Sequence, residues 1–221
     1  MTEEHDVDGL EMPLVDAMET QRSVRRLRTD AVDDDTILRV IELATKAPTS
    51  GGEQRWEFVV VRDPDVKHQL ARLNRQAWSV YRRLRAGAGR RHDAATSAEI
   101  AEAVQWQADH FEEVPVVVVA CLHGRSPVLA PPVLASRWYG SAYPAVQNLL
   151  LAARAVGLGA TLTTLPLWST TLARRTLGLP SKVTPVAVIP MGWPEDGYGP
   201  RARKPVADVV HLDRYGCRPF R

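Results

Sequence analysis

The sequence predicts an α+β fold in which a mixed sheet is covered by helices on both faces. Segments with helical periodicity alternate irregularly with about four short apolar runs, without a regular strand–helix repeat. The run at 114–122, VPVVVVACL, has almost no polar residue, which is typical of a strand buried on both faces. Because such a sheet needs a helical layer above and below it, a three-layer arrangement follows.

Composition narrows the class of protein. The chain of 221 residues is 45% hydrophobic with a net charge of +2, which is ordinary for one domain. So small a charge gives no indication of a nucleic-acid or anionic-membrane partner. No basic N-terminal segment precedes an apolar run, and the longest apolar runs are too short to cross a bilayer. We therefore expect a cytoplasmic protein with no nucleic-acid partner and no membrane partner.

The N-terminal part contains two predicted helices. Residues 1–12 are mostly acidic and polar, and are expected to form a flexible tail before a single domain at 13–221. A short helix is predicted at 13–19, followed by the basic stretch QRSVRR. The acidic residues 33–35 favour the positive end of a second helix, whose apolar residues recur at helical spacing until it stops before Pro48.

The middle of the chain alternates strands with helices. We predict a strand at 56–61, a helix from 65 to about 84, and a further helix ending at Phe111. The buried strand at 114–122 follows, and then a proline-rich loop at 124–136. Cys121 lies in that strand and is expected to be a buried thiol rather than a nucleophile. Together with Cys217 it gives no disulfide pattern.

Residues 141–157, SAYPAVQNLLLAARAVG, predict the helix around which the domain is arranged. Ser141 is a suitable N-cap, Pro144 suits a first turn, and Gly157 can end the helix. Apolar residues cover almost its whole circumference, so it must be buried inside the domain or in an obligate subunit interface. The threonine-rich ATLTTL that follows predicts a strand entering the core.

The C-terminal part is predicted to contain one helix and one strand. A short helix is expected at 169–178, a buried strand at 183–191 and a loop at 192–205. Residues 206–212 are expected to be extended.

A cluster of arginines between the first two helices could bind an anion. Arg22, Arg25 and Arg26 lie beside the hydroxyl of Ser23, and several guanidiniums with a hydroxyl suit a phosphate group. A solvated basic patch explains the same cluster without a ligand.

Two loops offer further binding groups. The loop 47–56, APTSGGEQRW, presents hydroxyls, backbone N–H groups and an amide that could bind the edge of a flat heterocycle. An ordinary glycine-rich connection is the alternative. The loop RARKP at 201–205 adds a second basic cluster, which either shares an anion with the first or is itself a solvated patch.

With the helix at 141–157, these stretches resemble the FMN-dependent nitroreductase superfamily. That family has motifs of the types R-R-S-x-R, A-P-S-x-x-N-x-Q-P-W, A-x-x-N-L-x-L-A-A-x-x-x-G-L-G and I-P-x-G-x-P. Here they stand as QRSVRR, APTSGGEQRW, AVQNLLLAARAVGLG and IPMGWP, followed by PRARKP. They occur in the family's order and span residues 18 to about 212.

The resemblance implies a nitroreductase-like three-layer α+β fold with a mixed or antiparallel central sheet, assembled as an intertwined homodimer that binds FMN at its interface. A helical insertion or lid at about 76–100 and a C-terminal arm at 200–221 belong to that architecture. The implied FMN-binding residues are Arg22, Ser23, Arg25, Arg26, Arg201 and Arg203 at the phosphate and ribityl chain, Pro48, Thr49, Ser50 and Gln54 at the ring from the other subunit, and the backbone of Leu162, Thr163, Thr164 and Leu165.

The activity implied by the resemblance is electron transfer from NAD(P)H through FMN to a small-molecule acceptor, such as a nitroaromatic, a quinone or a similar conjugated compound. The cofactor carries that chemistry, so we expect no catalytic side chain and no metal. Trp138 and Tyr139, together with the segment near Trp78 and Tyr81, could wall the acceptor space, although ordinary packing is the favoured explanation for each of them.

Two alternatives remain open at this stage. One is a flavin-cleaving enzyme similar to 5,6-dimethylbenzimidazole synthase, whose central helix is alike. The other is a flavin-sequestering protein with little turnover, since Gln21 and Gly52 replace an arginine and an asparagine that many family members have. The basic stretch at 82–91 is expected to be a mobile, solvated insertion near the active site, and as such it could bind the 2′-phosphate of NADPH.

Overall fold

The computed structural model describes residues 10–86, 94–124, 131–198 and 203–220, which contain six α-helices and four strands. The helices are α1 Leu14–Thr20, α2 Asp34–Ala44, α3 Pro64–Ala86, α4 Ala94–Asp109, α5 Pro132–Ala155 and α6 Thr170–Thr176. The strands are β1 Trp56–Val61, β2 Val116–His123, β3 Gly159–Ala160 and β4 Val183–Gly192. Short 3-10 helices lie at Ser50–Gly52, Phe111–Glu113, Leu165–Leu167 and Val206–Asp208.

The four strands form one sheet in the order β1-β2-β4-β3, and each neighbouring pair is antiparallel. The β-branched run of β2 is central, and Val119 pairs with Val59 on one side and Val188 on the other. Every residue of β4 is buried, and so is every residue of β2 except His123. The α+β prediction is therefore confirmed, and these strands are antiparallel.

Alternate side chains of β2 enter two separate cores, which confirms the three layers. Val118 packs in the core that includes Leu149 of α5 and residues of α2. Val119 packs in the opposite core with Leu70 of α3 and Phe111. The side-chain period of two in a strand sends a continuous apolar run to both faces. Helices α2 and α5 therefore cover one face of the sheet, and α3 covers the other.

Helix α5 begins earlier than predicted, and the N-cap assignment was wrong. It starts near Pro132, so Pro144 lies inside the helix and the segment 132–136 is helical rather than part of a loop. Ser141 does not cap the helix, because its hydroxyl donates to the carbonyl oxygen of Arg137 at 3.1 Å. Leu134, Ala135 and Arg137 favour a helix in this stretch, and packing against β2 and α2 carries the helix through Pro144.

The segment at 206–212 is not extended, contrary to the prediction. Residues Val206–Asp208 form a 3-10 turn in which the N–H of Asp208 donates to the carbonyl of Pro205 at 2.9 Å. A lone segment has no neighbouring strand to pair with, so its backbone groups bond locally.

The strand at ATLTTL is shorter than predicted. After β3, the chain pairs with β4 again at Thr163, whose N–H and carbonyl both bond to Val188 at 2.9 Å. Helix α4 also ends at Asp109, before the 3-10 turn that contains Phe111.

Of the described helices, none combines the length and apolar character that a membrane span requires.

Candidate functional site

The arginine-rich stretch continues the edge of the sheet. Ser23 forms a parallel bridge with Ala160 of β3, and the N–H of Val24 donates to the carbonyl of Ala160 at 3.1 Å. Further along, Leu27 forms an antiparallel bridge with Pro194. Val24 and Leu27 are buried, whereas Ser23 is exposed. The extended backbone thus anchors two apolar side chains in the core and leaves the intervening polar groups outside.

Gly159 allows this edge to pack closely. A Cβ atom at Gly159 would lie 2.7 Å from Cγ1 of Val24 and 2.9 Å from Cδ2 of Leu27. Both distances are well inside van der Waals contact, and the branched side chain of Val24 has little freedom to move. A residue without a side chain is therefore required where the arginine stretch crosses β3.

The Arg22 guanidinium bonds to a backbone carbonyl, and that of Arg26 has a weak ion pair. The Arg22 guanidinium donates to the carbonyl of Gly197 at 2.6 Å. That of Arg26 lies 5.1 Å from the centre of the Trp106 ring and 3.8 Å from an exposed carboxylate of Glu102. An exposed ion pair at that distance contributes little stability. Positive charge therefore remains available to an anion at this edge of the sheet.

Arg154 of α5 supports residues 21–27 beside β3, which we call the arginine edge. Its guanidinium lies 3.7 Å from the ring centre of Tyr198, and its Nε donates to the hydroxyl of Thr20 at 2.9 Å. The Tyr198 hydroxyl donates to the carbonyl of Gly157 at 2.9 Å. Burial raises the pKa of Tyr198 to about 12, against the opposing effect of the nearby arginines. These contacts join α1, α5 and the 194–198 segment.

The C-terminal basic loop is only partly described. Arg203 is exposed, and Arg201 lies outside the described residues. The predicted sharing of one anion between this loop and the arginine edge therefore stays a prediction.

The predicted ring-binding loop lies against the N-terminal half of α5. The N–H of Ser50 donates to the hydroxyl oxygen of Ser141 at 3.2 Å, and Nε of Arg137 donates to the Ser50 hydroxyl oxygen at 3.0 Å. Gly51 and Gly52 adopt positive φ values of 67° and 70°, which favour glycine. The other predicted residues of this loop, Pro48, Thr49 and Gln54, are exposed or half-buried.

A groove of about 270 Å³ opens beside this loop, and we call it the Ser50 groove. Leu122, Leu134 and the indole of Trp138 give it apolar walls. The Trp138 indole N–H donates to the carbonyl of His123 at 3.3 Å, which fixes the ring. The polar lining comes from the hydroxyls of Ser50 and Ser141, the guanidiniums of Arg55 and Arg137, and the carboxylate of Glu53.

The segment 162–165 borders a second cavity of about 330 Å³, lined by Thr164 together with aromatic residues that include Tyr143 and Trp168. The N–H of Leu165 donates to the Thr163 hydroxyl at 3.2 Å. Among the described residues, no group accepts from the N–H of Thr164. Leu162 is partly exposed beside it.

Within one chain, the structure does not bring all these residues together. Arg137 contacts the ring-binding loop, and Arg154, 17 positions further along α5, contacts Thr20, the residue before the arginine edge. Seventeen helical residues span about 25 Å. The two groups of predicted site residues therefore lie at opposite ends of α5. The described residues also contain no group of three or more metal-ligating side chains that could hold an ion.

Comparison with known proteins gives both relatives and a fold. The chain is 29% identical to an NADH dehydrogenase of Thermus thermophilus over 234 residues, which cover 90% of this chain and 97% of that protein. It is 28% identical to human iodotyrosine deiodinase 1 over 196 residues, 86% of this chain and 65% of that protein. A crystal structure of iodotyrosine deiodinase bound to FMN and 3-iodo-L-tyrosine superimposes with a TM-score of 0.69 at 21% identity, covering 92% of this chain and 98% of the other.

The family assignment follows from a match to a family model. The model of the Nitroreductase family matches residues 18–193, a range that begins just before the arginine edge and ends at the close of β4. That range includes the loop at Ser50, the whole of α5 and the segment 162–165. Since it covers well over half of the sequence, the chain belongs to the nitroreductase family.

Proposed function

We propose that this protein is an FMN-dependent oxidoreductase that passes electrons from NADH or NADPH to a nitroaromatic, quinone or similar conjugated acceptor. The observation that carries the proposal is the arginine edge, where buried Val24 and Leu27 hold a run of guanidiniums and a hydroxyl along β3. Membership of the nitroreductase family and the resemblance to an NADH dehydrogenase support the same reaction class.

The residues of the arginine edge suit a phosphate. Ser23 is exposed between two anchored residues, and its hydroxyl can donate to a phosphate oxygen. Arg22, Arg25 and Arg26 would hold the phosphate and the ribityl chain, with Arg201 and Arg203 closing from the C-terminal loop. The pair between Arg26 and Glu102 is long and exposed, so a phosphate dianion would displace the carboxylate at little cost.

The separation along α5 supports a homodimer. Arg137, which contacts Ser50, and Arg154, which contacts Thr20 beside the arginine edge, lie about 25 Å apart along the helix, and this is longer than one FMN molecule. One flavin can meet both groups only if the ring-binding loop comes from a second subunit. We therefore assign Pro48, Thr49, Ser50 and Gln54 to the ring that the partner's arginine edge holds. Exposed apolar side chains on α1, among them Val15 and Met18, are consistent with such an interface.

The segment 162–165 supplies backbone groups to the ring. Leu165 already donates its N–H to Thr163, so Thr164 provides the N–H that is still available to the flavin edge. Bound FMN supplies the hydride and electron chemistry, and the chain supplies placement and electrostatics. The cavity beside Thr164 offers Tyr143 and Trp168 as walls for a flat molecule.

An anaerobic titration tests the function. The purified protein with FMN should lose its flavin absorbance when NADH or NADPH is added, and regain it when a nitroaromatic or quinone follows. A protein that binds no FMN, or whose bound flavin neither nucleotide reduces, would refute the proposal. Product analysis after reoxidation in air separates simple reoxidation from release of a flavin ring fragment, which would favour the cleaving enzyme.

The phosphate site is tested separately by flavin affinity. Replacing Arg22 and Arg26 with glutamine should weaken FMN binding by about tenfold or more, because charge-assisted hydrogen bonds to phosphate are lost. Arg72→Gln on α3 is the matched control, since Arg72 is exposed and forms no hydrogen bond or ion pair with the arginine edge among the described residues. Equal dissociation constants for the double variant and the control would remove the arginine edge from the site.

A further inference from the structure

We propose that the electron acceptor carries a carboxylate or a similar planar anion, and that Arg137 in the Ser50 groove binds it. The inference rests on the proposed function, because it takes the loop containing Ser50 to lie beside the flavin ring. It goes further by naming the charge of the substrate and the residue that selects it.

The Ser50 groove suits one substituted aromatic ring. Its volume of about 270 Å³ is at the small end of the range for small-molecule sites. Leu122, Leu134 and Trp138 form the apolar wall. The Trp138 ring is held by its hydrogen bond to the carbonyl of His123 and by an edge contact with Tyr139, whose ring centre lies 4.8 Å from that of Trp138. A flat apolar body would therefore rest on a fixed surface, close to Ser50.

The positive charge of the groove is concentrated on Arg137. The other arginine of the groove, Arg55, pairs with Glu53 at 2.6 Å, so its charge is balanced within the protein. Arg137 forms no ion pair with any carboxylate of the described residues, and its described contact to Ser50 uses only Nε. The terminal N–H groups of its guanidinium are therefore available, and their planar arrangement matches a carboxylate with two parallel hydrogen bonds.

Arg137 is also positioned in advance. Its Nε donates to the Ser50 hydroxyl, its carbonyl accepts from the Ser141 hydroxyl, and Ser141 in turn accepts from the N–H of Ser50. This closed set of hydrogen bonds ties the guanidinium to the ring-binding loop. Less side-chain freedom is then lost when an anion binds, which favours affinity and orientation. Because Arg137 is exposed in one chain, solvent screening limits the gain to about tenfold.

A pair of acceptors that differ only in charge tests the proposal. We would measure kcat/KM for 4-nitrobenzoate and for 4-nitrobenzamide with the FMN-loaded wild type, Arg137→Gln, Arg137→Lys and the control Arg72→Gln. The ratio of the charged to the neutral acceptor should fall about tenfold in Arg137→Gln. It should fall less in Arg137→Lys, which keeps the charge but loses the planar fork, and should stay at the wild-type value in Arg72→Gln. Comparing ratios between variants cancels the different intrinsic reactivities of the two nitro groups.

Equilibrium binding supplies a readout that needs no turnover. Calorimetric titration with 4-nitrobenzoate should give a weaker dissociation constant for Arg137→Gln than for the wild type and the control. An unchanged acceptor ratio with unchanged binding would overturn the inference, while turnover of either acceptor would leave the oxidoreductase function standing. If neither acceptor is reduced, the oxidoreductase proposal fails, and the binding comparison alone then decides whether Arg137 receives the anion.

Discussion

Single side chains decide the chemistry that each end of α5 can support. At one end, Arg154 stacks on Tyr198 and stabilises the turn that follows β4. At the other end, Arg137 ties Ser50 to the helix. Both are arginines on a largely apolar helix, and their roles differ only because of their neighbours. On the opposite face of the sheet, Cys121 of β2 illustrates a reactive group made inert by burial.

The thiol of Cys121 should resist modification in the native protein. It is buried, and burial, with a smaller contribution from the charge of Glu57, raises its pKa to about 12. Only the thiolate reacts readily with a disulfide reagent. In a Cys217→Ser variant we expect no rapid reaction with such a reagent until denaturant is added, after which one thiol per chain reacts. Rapid labelling of the native variant would show that Cys121 is accessible.

Ionisation of Tyr198 should destabilise the fold at alkaline pH. Its pKa is raised by burial from 10.0 to about 12, so the neutral phenol is favoured in the folded state. Its contribution to stability is complete below pH 10 and is lost as the pH rises towards 12. Tyr198→Phe should lose about 1 kcal/mol at pH 8 with the hydrogen bond to Gly157.

Urea unfolding at several pH values measures both effects. Between pH 10 and 12, the free energy of unfolding of Tyr198→Phe should decline less steeply than that of the wild type, because the variant has no phenol to ionise. Parallel declines would mean that Tyr198 ionises equally in the folded and unfolded states.

At the scale of elements, the site depends on how the arginine stretch joins β3. No neighbouring segment in the sequence pairs with this stretch. It is held instead by a bridge from Ser23 to Ala160 and a bridge from Leu27 to Pro194. Each of those contacts comes from a different part of the chain. The path of the backbone at Gly159 therefore controls where the guanidiniums lie.

Gly159→Ala should weaken FMN binding more than it disturbs the fold. The new methyl group would overlap Val24 and Leu27, so the arginine stretch must move away from β3. We expect a loss of about 1–3 kcal/mol in stability from overpacking and a weaker FMN dissociation constant. Gly197→Ala is the control, because a Cβ there meets nothing within 4 Å. Flavin affinity equal to the wild type in Gly159→Ala would show that the arginine edge does not contact the cofactor.

At the scale of the whole molecule, α5 separates the two halves of the proposed flavin site, which are the loop at Ser50 and the arginine edge. The helix spans the layer over the sheet from the Ser50 groove to the arginine edge. Neither half alone surrounds a flavin on both sides. If both halves bind one flavin, as proposed, assembly of two chains is required by the chemistry and not only by stability.

The protein should be a dimer, and a charge on α1 should weaken it. Light scattering after size exclusion should give a mass near twice the chain mass of 24.5 kDa. Val15→Asp, at a side chain that is 62% exposed, should shift the protein towards monomer and lower its flavin content. Val80→Asp on α3, at a residue 52% exposed on the opposite side of the sheet, is the control. A wild type that is monomeric yet binds FMN normally would refute the shared site.

Local patterns were sufficient for most of the architecture. The β-branched run of β2, the helical spacing in α2 and the acidic start of that helix each determine their own structure, because burial and capping depend on neighbours in sequence. The family motifs were visible for the same reason, since each occupies a few consecutive residues. By contrast, Pro144 was misread as a helix start because packing, which holds it within α5, is not a local property.

The sequence by itself determined the layers, the buried central strands and which polar stretches could bind a phosphorylated ring. Only the tertiary structure decided that these stretches lie at opposite ends of α5, where Arg137 contacts Ser50 and Arg154 contacts Thr20. It also decided that residues 206–208 form a 3-10 turn. The periodicity of apolar residues in the sequence indicates whether a side chain is buried in the core or exposed to solvent. The path of the chain, set by packing between distant segments, decides which outside residues meet.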